Sequence, residues 1–132
     1  FYRDELSTLP EMELAAKRVY AQSGLQASDI DAACLYDAFT SEVVMQLESF
    51  GFCRPGEAKD FIKEGGLDID GRLPNNTHGG LLSEAYIHGL NNIAEAVRLI
   101  RGQSTNQPKG IEHVLVSSGV GVPTGAMILG QS

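Results

Sequence analysis

Basic and aromatic residues are scarce in this 132-residue chain, and their scarcity excludes nucleic-acid binding as a primary function. Lys and Arg number 10 against 17 Asp and Glu, so the formal net charge is −7 and phosphates would meet no basic face. Tryptophan is absent, and five Phe and four Tyr residues offer few platforms for stacking on bases. We therefore expect no nucleic-acid partner.

Cysteines and long apolar runs are also few. The two cysteines, Cys34 and Cys53, form no CxxC motif and have no partner pair for a zinc site, so no metal site is predicted. No apolar run approaches the ~18 residues of a transmembrane helix, so no membrane span is predicted. These features favour a reduced protein, and the expected compartment is the cytoplasm.

The composition that remains is that of one folded domain, residues 1–132. Hydrophobic residues make up 42% and charged residues 20% of the chain, which suffices for a core. Only Gly24 lies within the first fifty residues, and the other fourteen glycines follow, so the front should be helical and the back rich in loops. The chain starts at Phe1 without a signal-peptide pattern, and we expect it to be a piece of a longer protein.

Helical and strand patterns alternate along the chain and predict an α/β layered fold. Capping and glycine signals predict helices over residues 10–23, 41–50, 57–64 and 84–101. Short apolar runs predict strands over residues 33–36, 113–117 and 124–129. The last helix has an apolar stripe spaced 4, 3, 4 and 3, which predicts a buried face made of Tyr86, Leu90, Ile93, Val97 and Ile100.

Three loops are candidates for chemistry, and the first two adjoin the end of a strand or the start of a helix. Residues 35–40 follow a buried strand, where α/β sheets bind ligands, and Tyr36 either faces a cleft or is a core tyrosine. Residues 75–80 contain His78 and end in Gly79-Gly80, which would let the backbone approach a ligand closely. Tyr86 should then lie in the first turn of the following helix, where the helix dipole favours a phenolate.

The remaining candidates have more ordinary interpretations. Residues 117–123 contain a Gly-x-Gly segment that fits a tight connection between strands better than a phosphate cradle. Ser117 could act as a nucleophile only with a base beside it. Cys34 is expected to be inert core, whereas Arg54 would lower the pKa of the neighbouring Cys53.

The order of these motifs resembles the C-terminal half of the thiolase superfamily. It is most similar to the thiolase-like lipid-transfer proteins, which include aldolases that shorten steroid side chains. The resemblance is carried by Asp37-Ala38-Phe39, by the runs at residues 48–53 and 79–86, and by Ser117-Ser118-Gly119-Val120-Gly121. It implies a layered αβα domain that is one half of the αβαβα thiolase fold.

The same resemblance implies a reaction and the residues that perform it. Tyr36 stands where thiolases have the asparagine of Asn-Glu-Ala-Phe, Tyr86 where they have the histidine of Gly-His-Pro, and Ser117 where they have a base cysteine. With the thiolase groups replaced, Tyr36 and Tyr86 are the implied catalytic acid and base of a retro-aldol cleavage of a β-hydroxyacyl-CoA. A steroid side chain is one candidate substrate, and Ser117→Ala should then be mild. Substrate-loop residues would be Asp37, His78, Gly79, Gly80, Ser117 and Gly119.

The implied partners follow from the same family. The substrate would carry its own CoA thioester, so no cofactor is expected. An N-terminal half would complete the fold, the whole protein would form a homodimer, and a small OB-fold subunit associated with acyl-CoA would join it. Two alternatives stay open, namely a thiolase of the acetyl-CoA acetyltransferase type and a non-catalytic module that binds acyl-CoA or lipid.

Overall fold

Helices and strands alternate and form three layers, α/β/α, as the sequence predicts. A computed structural model describes residues 8–85 and 87–131. No helix within these ranges is both long and apolar enough to cross a bilayer. The elements in chain order are α1 (Pro10–Ser23), β1 (Ala32–Cys34), α2 (Thr40–Ser49), α3 (Ala58–Lys63), α4 (Gly80–Ser83), α5 (Leu90–Ile100), β2 (His113–Ser118) and β3 (Gly125–Gly130), with a single 3₁₀ turn at Ala27–Asp29.

A three-stranded sheet in the order β1-β2-β3 forms the middle layer. β1 runs parallel to β2, with Ala33 opposite Leu115, and β3 runs antiparallel to β2. Successive residues of a strand face opposite layers. Ala33 and Leu115 therefore pack with the buried faces of α1 and α2, while Ala32 and Val114 pack with α5.

The first helices form where the sequence predicts them. Pro10 occupies the first turn of α1, and Gly24 ends the helix in the left-handed conformation with φ 73°, donating its N–H to the Tyr20 carbonyl at 2.9 Å. Met12, Ala16 and Val19 form the buried face of α1. The predicted helices over residues 41–50 and 57–64 and all three strands are confirmed to within a residue or two.

The predicted helix over residues 84–101 is wrong in its first third. A short α4 ends at Ser83, and α5 begins only at Leu90. Ala85 and His88 have φ values of 60° and 49°, and Gly89 has φ 92°, so the backbone between the helices leaves the right-handed region. Apolar periodicity continues through this break because it reports side-chain character and not backbone conformation.

The predicted buried face of this helix is also wrong. The residues of α5 that are buried against this domain are mostly polar: Asn91, Asn92, Glu95, Ala96 and Leu99. Leu90 is 65% exposed, and Ile93, Val97 and Ile100 are only partly covered. The polar side chains are tolerated inside because they hydrogen-bond to loops and strand ends, as described below. The apolar stripe exists, but this domain alone does not bury it.

Candidate functional site

One edge of the sheet gathers the predicted loops. Because β1 and β2 are parallel, their carboxyl ends lie together, with Tyr36 two residues beyond β1 and Ser117 and Ser118 at the end of β2. The loop at residues 75–80 joins the same edge, since Asn76 donates its N–H to the Ala33 carbonyl at 2.9 Å. A Cβ on Gly89 would lie 3.8 Å from the Ser118 Cβ, so the start of α5 lies there too.

Asp37 ties the loop after β1 to the paired glycines. Its carboxylate accepts the Leu81 N–H at 3.1 Å, and a Cβ on Gly80 would overlap the same carboxylate. Glycine is therefore required at position 80 for this close approach. An open cavity of about 500 Å³ adjoins the contact, lined by Asp37, Phe39, Leu82 and their neighbours. Sequence analysis placed Asp37 and Gly80 in one candidate site, and the structure brings them into contact.

His78 lies in a cluster of buried amides. Its Nε2 is 3.2 Å from Asn92 Oδ1 and 3.4 Å from Asn91 Nδ2, and Asn92 Nδ2 donates to the carbonyls of Cys34 and Leu35. Asn92 directs its amide nitrogen to those carbonyls and its oxygen to His78 Nε2, so its side chain joins the loop at residues 75–80 to the end of β1. The buried atoms Asn76 Oδ1, His78 Nδ1 and Asn91 Oδ1 have no hydrogen-bond partner among the described residues.

Ser117 is fully buried and is not placed to act as a nucleophile. Its hydroxyl donates to Gln46 Oε1 and accepts the Tyr36 N–H, so an amide and not a base stands beside it. Gln46 escaped the sequence analysis, although a polar residue between Val43 and Phe50 on the apolar face of α2 is a recognisable signal.

Glu95 is a second buried polar residue that sequence analysis missed. Only 2% of it is exposed, and its carboxylate accepts hydrogen bonds from the hydroxyls of Thr77 and Ser104 and from Arg98, 3.3 Å away. The carboxylate therefore joins α5 to the loop at residues 75–80 and to the segment before β2. Its signal in the sequence is the helical spacing of Asn92, Glu95 and Leu99.

The surroundings of Gly119, Cys34 and Cys53 indicate structural roles and not reactive ones. Gly119 has φ 72°, and its carbonyl accepts the Thr124 hydroxyl at 3.1 Å, which closes the tight connection between β2 and β3. Burial raises the pKa of Cys34, which is inert core as predicted. The expectation for Cys53 is wrong: burial and the carboxylates of Glu48 and Glu57 raise its pKa to about 11, outweighing any effect of Arg54.

Tyr86 lies outside the described residues. The helix expected to hold it in its first turn begins at Leu90, four residues later in the chain. Positive φ occurs nearby in the sequence at three described non-glycine residues, Asn76, Ala85 and His88. Such conformations concentrate at functional sites. No group of His, Cys, Asp and Glu suited to a metal ion occurs among the described residues.

Comparison with known proteins gives one family. Residues 2–131 match the model of the family described as "Thiolase C-terminal domain-like". The chain is 62% identical over 130 residues to a steroid side-chain-cleaving aldolase of Thermomonospora curvata, covering 98% of this chain and 33% of the relative. It is 58% identical to a 17-hydroxy-3-oxo-4-pregnene-20-carboxyl-CoA lyase of Mycobacterium tuberculosis, covering 98% and 34%.

A solved structure agrees with this comparison. The structure of an Ltp2-ChsH2(DUF35) aldolase superposes with a TM-score of 0.95 at 62% identity, covering 98% of this chain and 34% of that one. The chain thus spans about a third of the length of the relatives that it matches.

Proposed function

The chain belongs to the thiolase C-terminal domain-like family, and we propose that it is the C-terminal part of an aldolase that cleaves a carbon–carbon bond of a β-hydroxyacyl-CoA. The observation that carries the proposal is the 62% identity, over nearly the whole chain, to a steroid side-chain-cleaving aldolase. The second relative is named as a lyase of a steroid carboxyl-CoA, which favours a steroid side chain as the substrate.

The proposed reaction is a retro-aldol cleavage performed by Tyr36 and Tyr86. One tyrosine acts as base and removes the proton of the β-hydroxyl, so the Cα–Cβ bond breaks and a ketone or aldehyde leaves. The bonding pair forms the thioester enolate, which the second tyrosine protonates at Cα. The position of Tyr36 at the carboxyl ends of β1 and β2 supports its role. The substrate carries the thioester, and the reaction as written needs no cofactor.

Buried Ser117 favours the aldolase over a thiolase of the acetyltransferase type. Thiolysis needs a base thiol at this position in the family pattern, whereas Ser117 supplies a hydroxyl that already donates to Gln46. Asp37, His78, Gly79 and Gly80 would shape the substrate loop, and Gly119 the neighbouring connection. A binding module without catalysis is the remaining alternative, and turnover by the full-length protein would exclude it.

The test is cleavage by the full-length protein of a panel of β-hydroxyacyl-CoA esters, with release of ketone or aldehyde as the readout. Tyr36→Phe and Tyr86→Phe should each lower kcat about 10²–10⁴-fold. Tyr20→Phe is the matched control, because the Tyr20 hydroxyl donates to the Phe50 carbonyl between α1 and α2, away from the strand ends. Near-normal cleavage by both variants would refute the catalytic roles, and binding without turnover would identify a binding module.

The other two thirds of the protein are proposed to cover the apolar stripe of α5. Leu90, Ile93, Val97 and Ile100 are exposed or only partly covered here, and Phe39 and Leu82 are 69% and 96% exposed. Phe39 and Leu82 line one open cavity, and exposed apolar side chains grouped in this way are typical of an interface. An N-terminal half that packs on them would place its own residues beside Tyr36 and form the site for the acyl-CoA.

Two further partners are proposed for the whole protein, a second copy and an OB-fold subunit. The solved relative is named as a complex of two components, Ltp2 and ChsH2(DUF35), which supports a partner subunit. Purification of the full-length protein alone and together with a co-encoded OB-fold subunit tests this. We expect the pair to be more soluble and more active, and to contain two copies of the aldolase chain by light scattering. Full activity of a lone monomer would contradict both.

A further inference from the structure

We infer that Ser117 and Gln46 are positioning residues that clamp the backbone of Tyr36, an inference that rests on the catalytic role proposed for that tyrosine. Tyr36 donates its N–H to Ser117 Oγ at 2.9 Å, and its carbonyl accepts from Gln46 Nε2 at 2.7 Å. Ser117 Oγ closes the ring by donating to Gln46 Oε1 at 2.5 Å. Two side chains thus satisfy both backbone polar groups of one residue.

The direction of every hydrogen bond in this clamp is determined. Gln46 Nε2 also donates to the Glu42 carbonyl at 3.0 Å, so the amide nitrogen faces two carbonyls and the amide oxygen must face Ser117. The Ser117 proton therefore points to Gln46, which leaves the Ser117 oxygen to accept from Tyr36. Both side chains are 0% exposed, so water cannot replace either partner.

The clamp holds Tyr36 just beyond the last paired residue of β1, where strand pairing no longer fixes the backbone. The pairing of β1 with β2 ends at Cys34 opposite Val116, and Tyr36 lies two residues further on. Beyond that point the strand ladder provides no bonds, and Ser117 and Gln46 provide them instead. The tyrosine hydroxyl is carried far from the backbone by a rigid side chain, so a small rotation of the backbone displaces it substantially. Displacement of about 1 Å at a reacting group can cost about 100-fold in rate.

This role differs from the one that the family resemblance implies for position 117. Neither Ser117 nor Gln46 reaches the reacting atoms, so they set the position of the catalytic hydroxyl and take no proton from substrate. The expectation that Ser117→Ala is mild therefore changes. Removing the hydroxyl takes the Ser117 partner away from both the Tyr36 N–H and the Gln46 oxygen, which weakens the hold on the backbone of Tyr36.

The experiment measures kcat and KM of full-length Ser117→Ala and Gln46→Met on the best cleaved ester. Gln46→Met keeps the length of the side chain but has no N–H to donate to the Tyr36 carbonyl. Each variant should lower kcat about 10- to 100-fold, with KM within a fewfold of wild type. Circular dichroism checks the fold, and assays run well below the melting temperature. Where Ser117→Ala does not fold, Ser117→Cys, a near isostere and a weaker hydrogen-bonding group, is measured in its place.

A Tyr36→Phe background separates positioning from a merely structural role. Once the hydroxyl is gone, there is nothing left to position, so Ser117→Ala added to Tyr36→Phe should not lower kcat further. An equal loss in both backgrounds, or unchanged kcat in the single variants, would overturn the clamp. If Tyr36→Phe itself is fully active, the proposed chemistry of Tyr36 fails instead, so the two failures are distinguishable.

Discussion

Burial decides the reactivity of single ionisable residues in this chain. Cys53 lies beside Arg54 in the sequence, yet its surroundings raise its pKa to about 11. Glu42 is a carboxyl whose pKa burial raises above the ordinary value, partly offset by a backbone hydrogen bond from Phe39. In Glu42 the loss of hydration exceeds the stabilisation given by that hydrogen bond, whereas in Cys53 burial and the carboxylates of Glu48 and Glu57 act in the same direction.

Cys53 should therefore alkylate slowly at neutral pH. At pH 7.5 it should hold on the order of 100-fold less thiolate than an ordinary cysteine with a pKa near 8.5. Labelling by iodoacetamide, followed by peptide mass spectrometry between pH 7.5 and pH 9.5, should show a rate that climbs about tenfold per unit. A cysteine-containing peptide is the control, and equal rates for both at pH 7.5 would contradict the raised pKa.

Glu42→Gln should stabilise the protein at neutral pH and not in acid. A carboxyl whose pKa is raised on folding destabilises the fold once it ionises, so the penalty is absent below the unfolded value, about 4.3, and develops as pH rises through the folded value. The melting temperature of Glu42→Gln should thus exceed that of wild type at pH 7, and the difference should vanish near pH 4. A melting-temperature difference that grows toward low pH would contradict the raised pKa of Glu42.

At the scale of elements, buried polar side chains connect α5 to loops with which it shares no apolar core. α5 meets the sheet through Ala96 and Leu99, but it meets the loops through Asn91, Asn92 and Glu95. Hydrogen bonds depend on geometry more strongly than apolar contacts do. Such connections fix the loops at the strand ends in one arrangement.

Glu95→Gln should reveal how much one of these connections contributes. The amide keeps the size of the side chain but loses the charge that accepts from Thr77, Ser104 and Arg98, and we expect a loss of about 1–3 kcal/mol in the free energy of unfolding. Glu84→Gln is the matched control, because Glu84 faces the same Arg98 at 3.5 Å on the surface and should cost less than about 1 kcal/mol. Equal effects in denaturant titrations would show that the buried network adds little.

At the scale of the whole molecule, the incompletely covered apolar stripe of α5 supports the proposal that another part of the protein packs on this domain. A single exposed Leu on the surface of a folded protein is ordinary, but a row of incompletely buried apolar side chains along one helix is typical of an interface. The buried side of the same helix carries three polar residues beside Ala96 and Leu99, while Leu90 remains exposed and Ile93, Val97 and Ile100 are only partly covered. We expect the rest of the full-length protein to supply the missing layer.

Leu90→Lys and Leu14→Lys in the full-length protein test this. In this domain Leu90 is more exposed than Leu14, at 65% against 48%, so both substitutions should cost within about 0.5 kcal/mol if nothing covers them. If the N-terminal half packs on the stripe, Leu90→Lys buries an unpaired charge and should cost more than about 2 kcal/mol, while Leu14→Lys stays mild. Equally mild effects on urea unfolding would place the interface elsewhere.

Local signals in the sequence determined most elements, the layered fold and the family. Pro10 and Gly24 set the ends of α1 because their backbone restrictions act within one turn, and apolar runs located the strands because burial requires them. The motifs around Tyr36, Gly79-Gly80 and Ser117 led to one site, and parallel pairing of β1 with β2 brings their loops to one edge.

Only the tertiary structure decided which face of α5 is buried, where that helix begins, and what Ser117 contacts. Periodicity reports that a stripe is apolar, but it does not report whether this domain or another part of the protein covers it. The break before Leu90 has positive φ at Ala85, His88 and Gly89. Gly89 is the one residue of the three that commonly marks a helix end, and a single glycine within an apolar period does not by itself identify a break. Ser117 and Gln46 are 71 positions apart, and their hydrogen bond exists only because β2 and α2 pack on the same strand end. Contacts of that separation depend on how the layers assemble, which no local pattern encodes.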